Sequence, residues 1–176
     1  FYSEDEKELL QEFCDLLQKW NPENNKFLCA HNGKEFDFPY LARRLTINGM
    51  RLPCCLQVSG KRPWEVPFLD TMELWKFGDY KSFTSLNLLA HTLGIPSPKD
   101  EIDGSMVSQM YWSAKTPEEK RTNLRRIVEY CQKDVITVAH VYLRLQGEET
   151  IKPENIEIKY SWNASIMHPV LNGKIL

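Results

Sequence analysis

Apolar residues recur at helical spacing near both ends of the chain and break into short runs between them. Leu9, Leu10, Phe13, Leu16, Leu17 and Trp20 fall three or four positions apart, which predicts an amphipathic helix. Ser3-Glu4-Asp5-Glu6 has the S-x-x-E form of a capping box, so the chain opens almost directly on that helix. Its apolar face needs something to cover, and "KFLCAH", residues 26–31, supplies a short strand. Asn32-Gly33 then marks a turn. A second helix is predicted from Phe38 to Asn48, with Pro39 at an early helical position, Leu41, Leu45 and Ile47 inward, and Asn48-Gly49 at its end.

The middle of the chain is less regular. "VPFLDTMELWKF", residues 66–77, reads as a short strand leading through Asp70-Thr71 into a helix. Thr84 or Ser85 can cap a helix through "LNLLAHTL", which ends at Gly94; "PSPKDEIDGS" is a polar loop, and a helical segment covers Met106 to Trp112. Thr116-Pro117-Glu118-Glu119 is a strong helix start, with a cap, a first-position proline and acids facing the positive end of the dipole. From there Leu124, Ile127, Val128, Val135, Val138, Ala139, Tyr142 and Leu143 carry a long helix to Gly147, with room for a bend. No internal repeat, low-complexity tract or interdomain linker is visible, and the tail from Lys152 is weakly patterned.

Composition narrows the class. With 176 residues, 42% hydrophobic and 26% charged, the chain can bury a core and is expected to form one globular domain. A formal charge of −2 argues against broad coating of nucleic acid, which relies on many phosphates being neutralised, and leaves room for a grip on a few nucleotides. Five cysteines form neither a disulfide framework nor a CxxC zinc signature, so a reducing, cytoplasmic compartment is expected. No apolar run approaches the roughly 20 residues of a membrane span, so no membrane partner is expected and the sequon at Asn163 reads as accidental.

Two stretches carry candidate chemistry. In "EYCQKDV", residues 129–135, Tyr130 and Asp134 stand about one helical turn apart on a common face. They are either ordinary residues of a partly buried face or partners at a reaction site. In "HNGKEFDFPYLARR", residues 31–44, Asp37 sits among Phe36, Phe38, Pro39 and Tyr40. An acid in apolar company calls for a cation or hydrogen bonds. A divalent metal would serve, and so would a plain role as the cap of the following helix. Asn32 contacts substrate or simply makes the turn; Phe36 and Tyr40 stack on bases or fill core. Arg43 and Arg44 reach phosphate or solvent, and Lys120, Arg121, Arg125 and Arg126 read first as a solvated face. His31, His91, His140 and His168 show no metal spacing, and Cys131 lacks an evident base.

Together the two stretches resemble the second and third motifs of DEDDy-type 3′ to 5′ exonucleases, in particular the exonuclease domain of family B DNA polymerases. The N-x-x-x-F-D form is met by Asn32, Phe36 and Asp37, and Y-x-x-x-D by Tyr130 and Asp134. The resemblance covers residues 1–147 as an exonuclease-like domain and leaves 148–176 as an unassigned extension. It implies an α/β, ribonuclease H-like fold and a hydrolase trimming the 3′ end of single-stranded nucleic acid, DNA first and RNA second. It also implies two Mg²⁺ or Mn²⁺ ions in the complete site, held in part by Asp37 and Asp134, with Tyr130 orienting the attacking water. A phenol of ordinary pKa, about 10, stays protonated at neutral pH and positions water better than it removes a proton.

One departure stands out. The family's first motif, D-x-E on an early strand, is absent; Asp5 and Glu6 lie on the wrong element, and Asp70 and Glu73 have the wrong spacing and order. Asp70 is read instead as a cap or support residue. A piece of a longer exonuclease is favoured over true loss of the motif. The other readings are a nucleic-acid-binding relative without the metal site and a helical interaction module, the latter disfavoured if residues 26–31 and 66–69 form adjacent strands. With two of the four metal carboxylates, the 176-residue chain by itself is expected to be nearly inactive. Metal-dependent 3′ trimming of single-stranded DNA by this chain alone would overturn that expectation.

Overall fold

The computed structural model describes residues 3, 5–79, 81–96, 102 and 104–158. The protein is mixed α/β and mostly helical: α1 (Glu6–Trp20), β1 (Cys29–Ala30), α2 (Asp37–Ile47), β2 (Leu69–Asp70), α3 (Thr71–Lys76), α4 (Leu86–Thr92), α5 (Gly104–Trp112) and α6 (Pro117–Leu145). Short 3₁₀ turns lie at Cys54–Leu56, Pro63–Glu65 and Pro153–Asn155. Two units divide the chain, one from the described parts of residues 1–70 and 151–176, the other from those of 71–150. Much of the polar loop at 96–105 and most of the tail, with the sequon and His168, lie outside the described residues.

In the first unit, α1 starts two residues later than the S-x-x-E pattern predicts. Asp5 is the cap, accepting the N–H groups of Lys7 and Glu8 at 2.8 and 3.3 Å, while the Ser3 hydroxyl donates to Glu8. This leaves Glu6 free to reach α2. Leu10 and Leu17 turn toward Phe38 and Leu45 of α2, and Leu56 and Phe68 close the same apolar cluster. The rings of Phe38 and Phe68 meet at 4.2 Å between centroids. Each such buried side chain stabilises the unit by about 1.5–3 kcal/mol. Leu41 packs against the cluster as predicted, but Ile47 is 69% exposed. Two residues beyond Leu45, Ile47 is carried to the far side of the helix.

β1 and β2 pair in parallel, Cys29 opposite Leu69 and Ala30 opposite Asp70. Parallel neighbours cannot be joined by a tight turn, so the chain crosses over through α2 and two of the 3₁₀ turns. These adjacent strands count against a purely helical interaction module.

The second unit is organised by α6, a single helix of 29 residues that packs on α3, α4 and α5. Thr116 accepts the Glu119 N–H at 3.1 Å and Pro117 takes the first helical position, as the sequence predicts. The buried face runs through Leu124, Ile127, Thr137 and Val141, and Val141 joins Leu89, Ala90 and Ile95 in the core. Val135, counted in the predicted apolar series, is 70% exposed. It lies two residues before Thr137 and six before Val141, so at 3.6 residues per turn it points away from both. Ser85, the second of the two candidate caps, holds the start of α4 by accepting from Leu88 N–H at 3.3 Å.

Between α1 and α2, the Glu6 carboxylate accepts from Arg44 Nε at 2.6 Å, from a second guanidinium nitrogen, and from Asn48 Nδ2 at 3.0 Å. The Arg44 hydrogen bonds first, then Asn48, hold its pKa at about 2, against an ordinary 4.5. A carboxyl whose pKa falls on folding adds stability that is present above the unfolded value and lost as pH drops through the folded one. Glu6→Gln should therefore lower the melting temperature by a fixed amount above pH 5, and the gap to wild type should close between pH 4.5 and 2; parallel thermal melts across that range measure it.

Candidate active site

Each unit carries one of the two stretches singled out by sequence. In the first, β1 runs out at Ala30 into the turn that contains Asn32. Because Ala30 is registered against Asp70, the Asp70 carboxylate stands at the exit of β1. It is 2% exposed, and its two oxygens accept the backbone N–H groups of Asn32 at 2.9 Å and Lys34 at 3.0 Å. Asp70 therefore acts as a support residue, clasping the turn to the strand pair, and it also stands at the position directly before α3, where a cap would lie. The carboxyl ends of parallel strands are where α/β folds place their sites.

The turn is tightly built. Asn32 adopts φ 60°, a left-handed conformation that Asn tolerates better than most residues, so its turn role is real. Its side-chain Oδ1 is nonetheless buried without a hydrogen-bond partner among the described residues. A Cβ on Gly33 would lie 2.4 Å from the Ala30 Cβ, 3.0 Å from a Phe38 ring carbon and 3.4 Å from Asp37 Oδ2. Only glycine lets the chain pass there.

Asp37 is the first residue of α2, not its cap; Phe36 holds the cap position and supplies no side-chain bond. The residue is solvent-exposed overall, yet desolvation of its carboxyl raises the pKa, the Asp70 charge raises it further, and its own backbone N–H opposes both. Such a carboxyl gains from a nearby cation. Phe36 and Tyr40 are exposed and stack on one another, centroids 6.0 Å apart and 13° between planes. Neither is core; that role falls to Phe38 between them. Arg44 is committed to Glu6, which removes it from the candidates for phosphate contact, while Arg43 is exposed.

In the second unit, Tyr130 and Asp134 lie one turn apart on α6 and are both partly buried. The Tyr130 hydroxyl is close to the start of α5, 3.9 Å from where a Cβ on Gly104 would sit. Burial, then the Asp134 charge, pushes the Cys131 thiol up, which keeps it protonated and unsuited to nucleophilic attack. Cys29 is pushed up to about 11, first by burial and then by the Asp70 charge. Arg121, Arg125 and Arg126 face solvent, and Arg125 pairs with Glu129 at 3.0 Å one turn on. His91 is exposed; His140 is partly buried, its Nε2 without a partner among the described residues.

The oxygens of Asp37 and Asp134 are hard donors of the type Mg²⁺ and Mn²⁺ prefer. Among the described residues, no group of three or more His, Cys, Asp or Glu side chains is arranged to hold a metal ion. The sequence marks Asp70 as a cap or support residue but does not name the amides it holds. The signal was present: an acid directly after the apolar "PFL" must find donors if it is to be buried. Which donors it finds, 36 and 38 residues earlier, depends on the strand register.

A family model described as a predicted 3′-5′ exonuclease related to the exonuclease domain of PolB matches residues 2–168. No curated protein and no solved structure matches the chain.

Replacing Asp70 with Ala would orphan two amide donors, each at on the order of 1–3 kcal/mol if water cannot reach it. Asp70→Ala should lose at least about 2 kcal/mol in urea unfolding, with faster hydrogen exchange at the Asn32 and Lys34 amides. Unchanged exchange at those two amides would rule the clasp out.

Proposed function

We propose that this chain, which belongs to the family of predicted 3′-5′ exonucleases related to the exonuclease domain of PolB, hydrolyses phosphodiester bonds at the 3′ end of single-stranded nucleic acid, DNA in the first instance. The observation that carries the reading is the clasped turn. It holds the unpartnered Asn32 Oδ1 and leads directly into Asp37, a carboxyl whose surroundings disfavour its charge. An acceptor with no donor among the described residues and a carboxyl whose surroundings disfavour its charge are what a site for a cation-bearing substrate would leave open. The reading includes a ribonuclease H-like fold for residues 1–147, with 148–176 as an extension of no assigned role.

In this mechanism Asp37 and Asp134 would help hold Mg²⁺ or Mn²⁺. Two such ions, when bound, would stabilise the negative charge that builds on the attacking and leaving oxygens. Tyr130 donates a hydrogen bond that orients the attacking water in line with the scissile bond. The Phe36–Tyr40 pair offers an exposed aromatic face on which a terminal base can stack, and Asn32 contacts the substrate beside it. The lack of a three-ligand cluster among the described residues favours one second reading, a nucleic-acid-binding relative without metal chemistry.

In the full-length protein, Asp37→Asn or Asp134→Asn should each abolish Mg²⁺-dependent shortening of a single-stranded oligonucleotide, and the double variant should be no worse than either, because residues acting as a unit are non-additive. Tyr130→Phe should slow the reaction on the order of a hundredfold through misplaced water. Oligonucleotide binding that survives with no shortening in any divalent ion would favour the second reading.

A further inference from the structure

α3 ends in an unusual way. Phe77 follows its last residue with φ 43°, a left-handed conformation that a helix end ordinarily assigns to glycine. Glycine comes one position late: Gly78, at φ 93°, continues the turn, and Asp79 N–H closes it on the Lys76 carbonyl at 2.8 Å. A bulky residue in this region is strained, and strain of this kind persists where something else requires it. Packing does not require it here, since the Phe77 ring is 82% exposed.

What the strained residue does is present a ring. Trp75 meets Phe77 edge to face at 6.2 Å between centroids. Beside them the Lys76 ammonium lies 4.9 Å from the centroid of Phe83, itself 71% exposed. The helix end thus displays aromatic faces around a cation that has no carboxylate partner among the described residues. Flat, sequence-tolerant stacking surfaces with an adjacent cation match the alternation of base and phosphate along a single strand. A protein partner would be expected to meet an apolar patch depleted in lysine, so Lys76, without a carboxylate partner among the described residues, favours nucleic acid.

We propose that the end of α3, through Phe77, Phe83 and Lys76, is a binding surface for single-stranded nucleic acid, separate from the residues assigned to hydrolysis. The strand stacks bases on the exposed rings and sets a phosphate against Lys76. The surface needs no metal, so it stands or falls apart from the hydrolytic reading.

The test uses the whole chain, a fluorescently labelled oligothymidylate and anisotropy in the presence of EDTA. Phe77→Gly removes the ring and relieves the backbone, so the melting temperature should hold or rise while affinity falls about fivefold or more. Lys76→Ala should flatten the dependence of log affinity on log salt by about 0.7. Wild-type chain that does not bind, or Phe77→Gly that binds as wild type does, overturns the proposal.

Discussion

The first unit depends on a carboxylate with no exposed role. Asp70 ends a two-residue strand, and both of its oxygens are taken by amides of a turn that precedes it by more than 35 residues. So short a strand pair contributes little through its own ladder. The buried charge is what fixes the turn, since an ionised carboxylate without donors would cost far more than the ladder could return. Gly33, which admits no side chain, and Asn32, bent into the left-handed region, take their conformations from the same constraint.

The two units use different means to hold their candidate residues in place. In the first, the turn clasped by Asp70, with Gly33 inside it, leads into the helix that begins at Asp37, so the placement of Asp37 rests on loop geometry. In the second, Tyr130 and Asp134 share one helix, and their spacing follows from helical periodicity with no help from tertiary structure. The aromatic residues divide in the same manner. Phe38 anchors the core, while Phe36 and Tyr40 on either side of it face outward as a stacked pair.

Much of this was legible in the sequence. Helix starts with polar caps, the strand before Asn32, the strand-to-helix step at Asp70-Thr71 and the break at Gly94 were all encoded locally, in residues a few positions apart. What escaped was tertiary. Glu6 leaves its expected capping role because Arg44 and Asn48 come within reach, and Val135 is set aside because the partners of α6 lie on its other side. Phe77 escaped for a different reason: a left-handed phenylalanine has no propensity signal, since sequence rules place glycine there. The candidate residues Asn32, Asp37, Tyr130 and Asp134 were visible as motif positions, whereas the Asp70 clasp depended on register.

The length of α6 has a consequence for motion. Tyr130 lies 13 residues past its first position and Asp134 lies 11 before its last. Helices open from their tips, and end fraying involves a turn or so. Disturbance entering at Thr116 or Gln146 therefore dies away before it reaches either side chain, and the interval between phenol and carboxylate persists while the helix ends open and close.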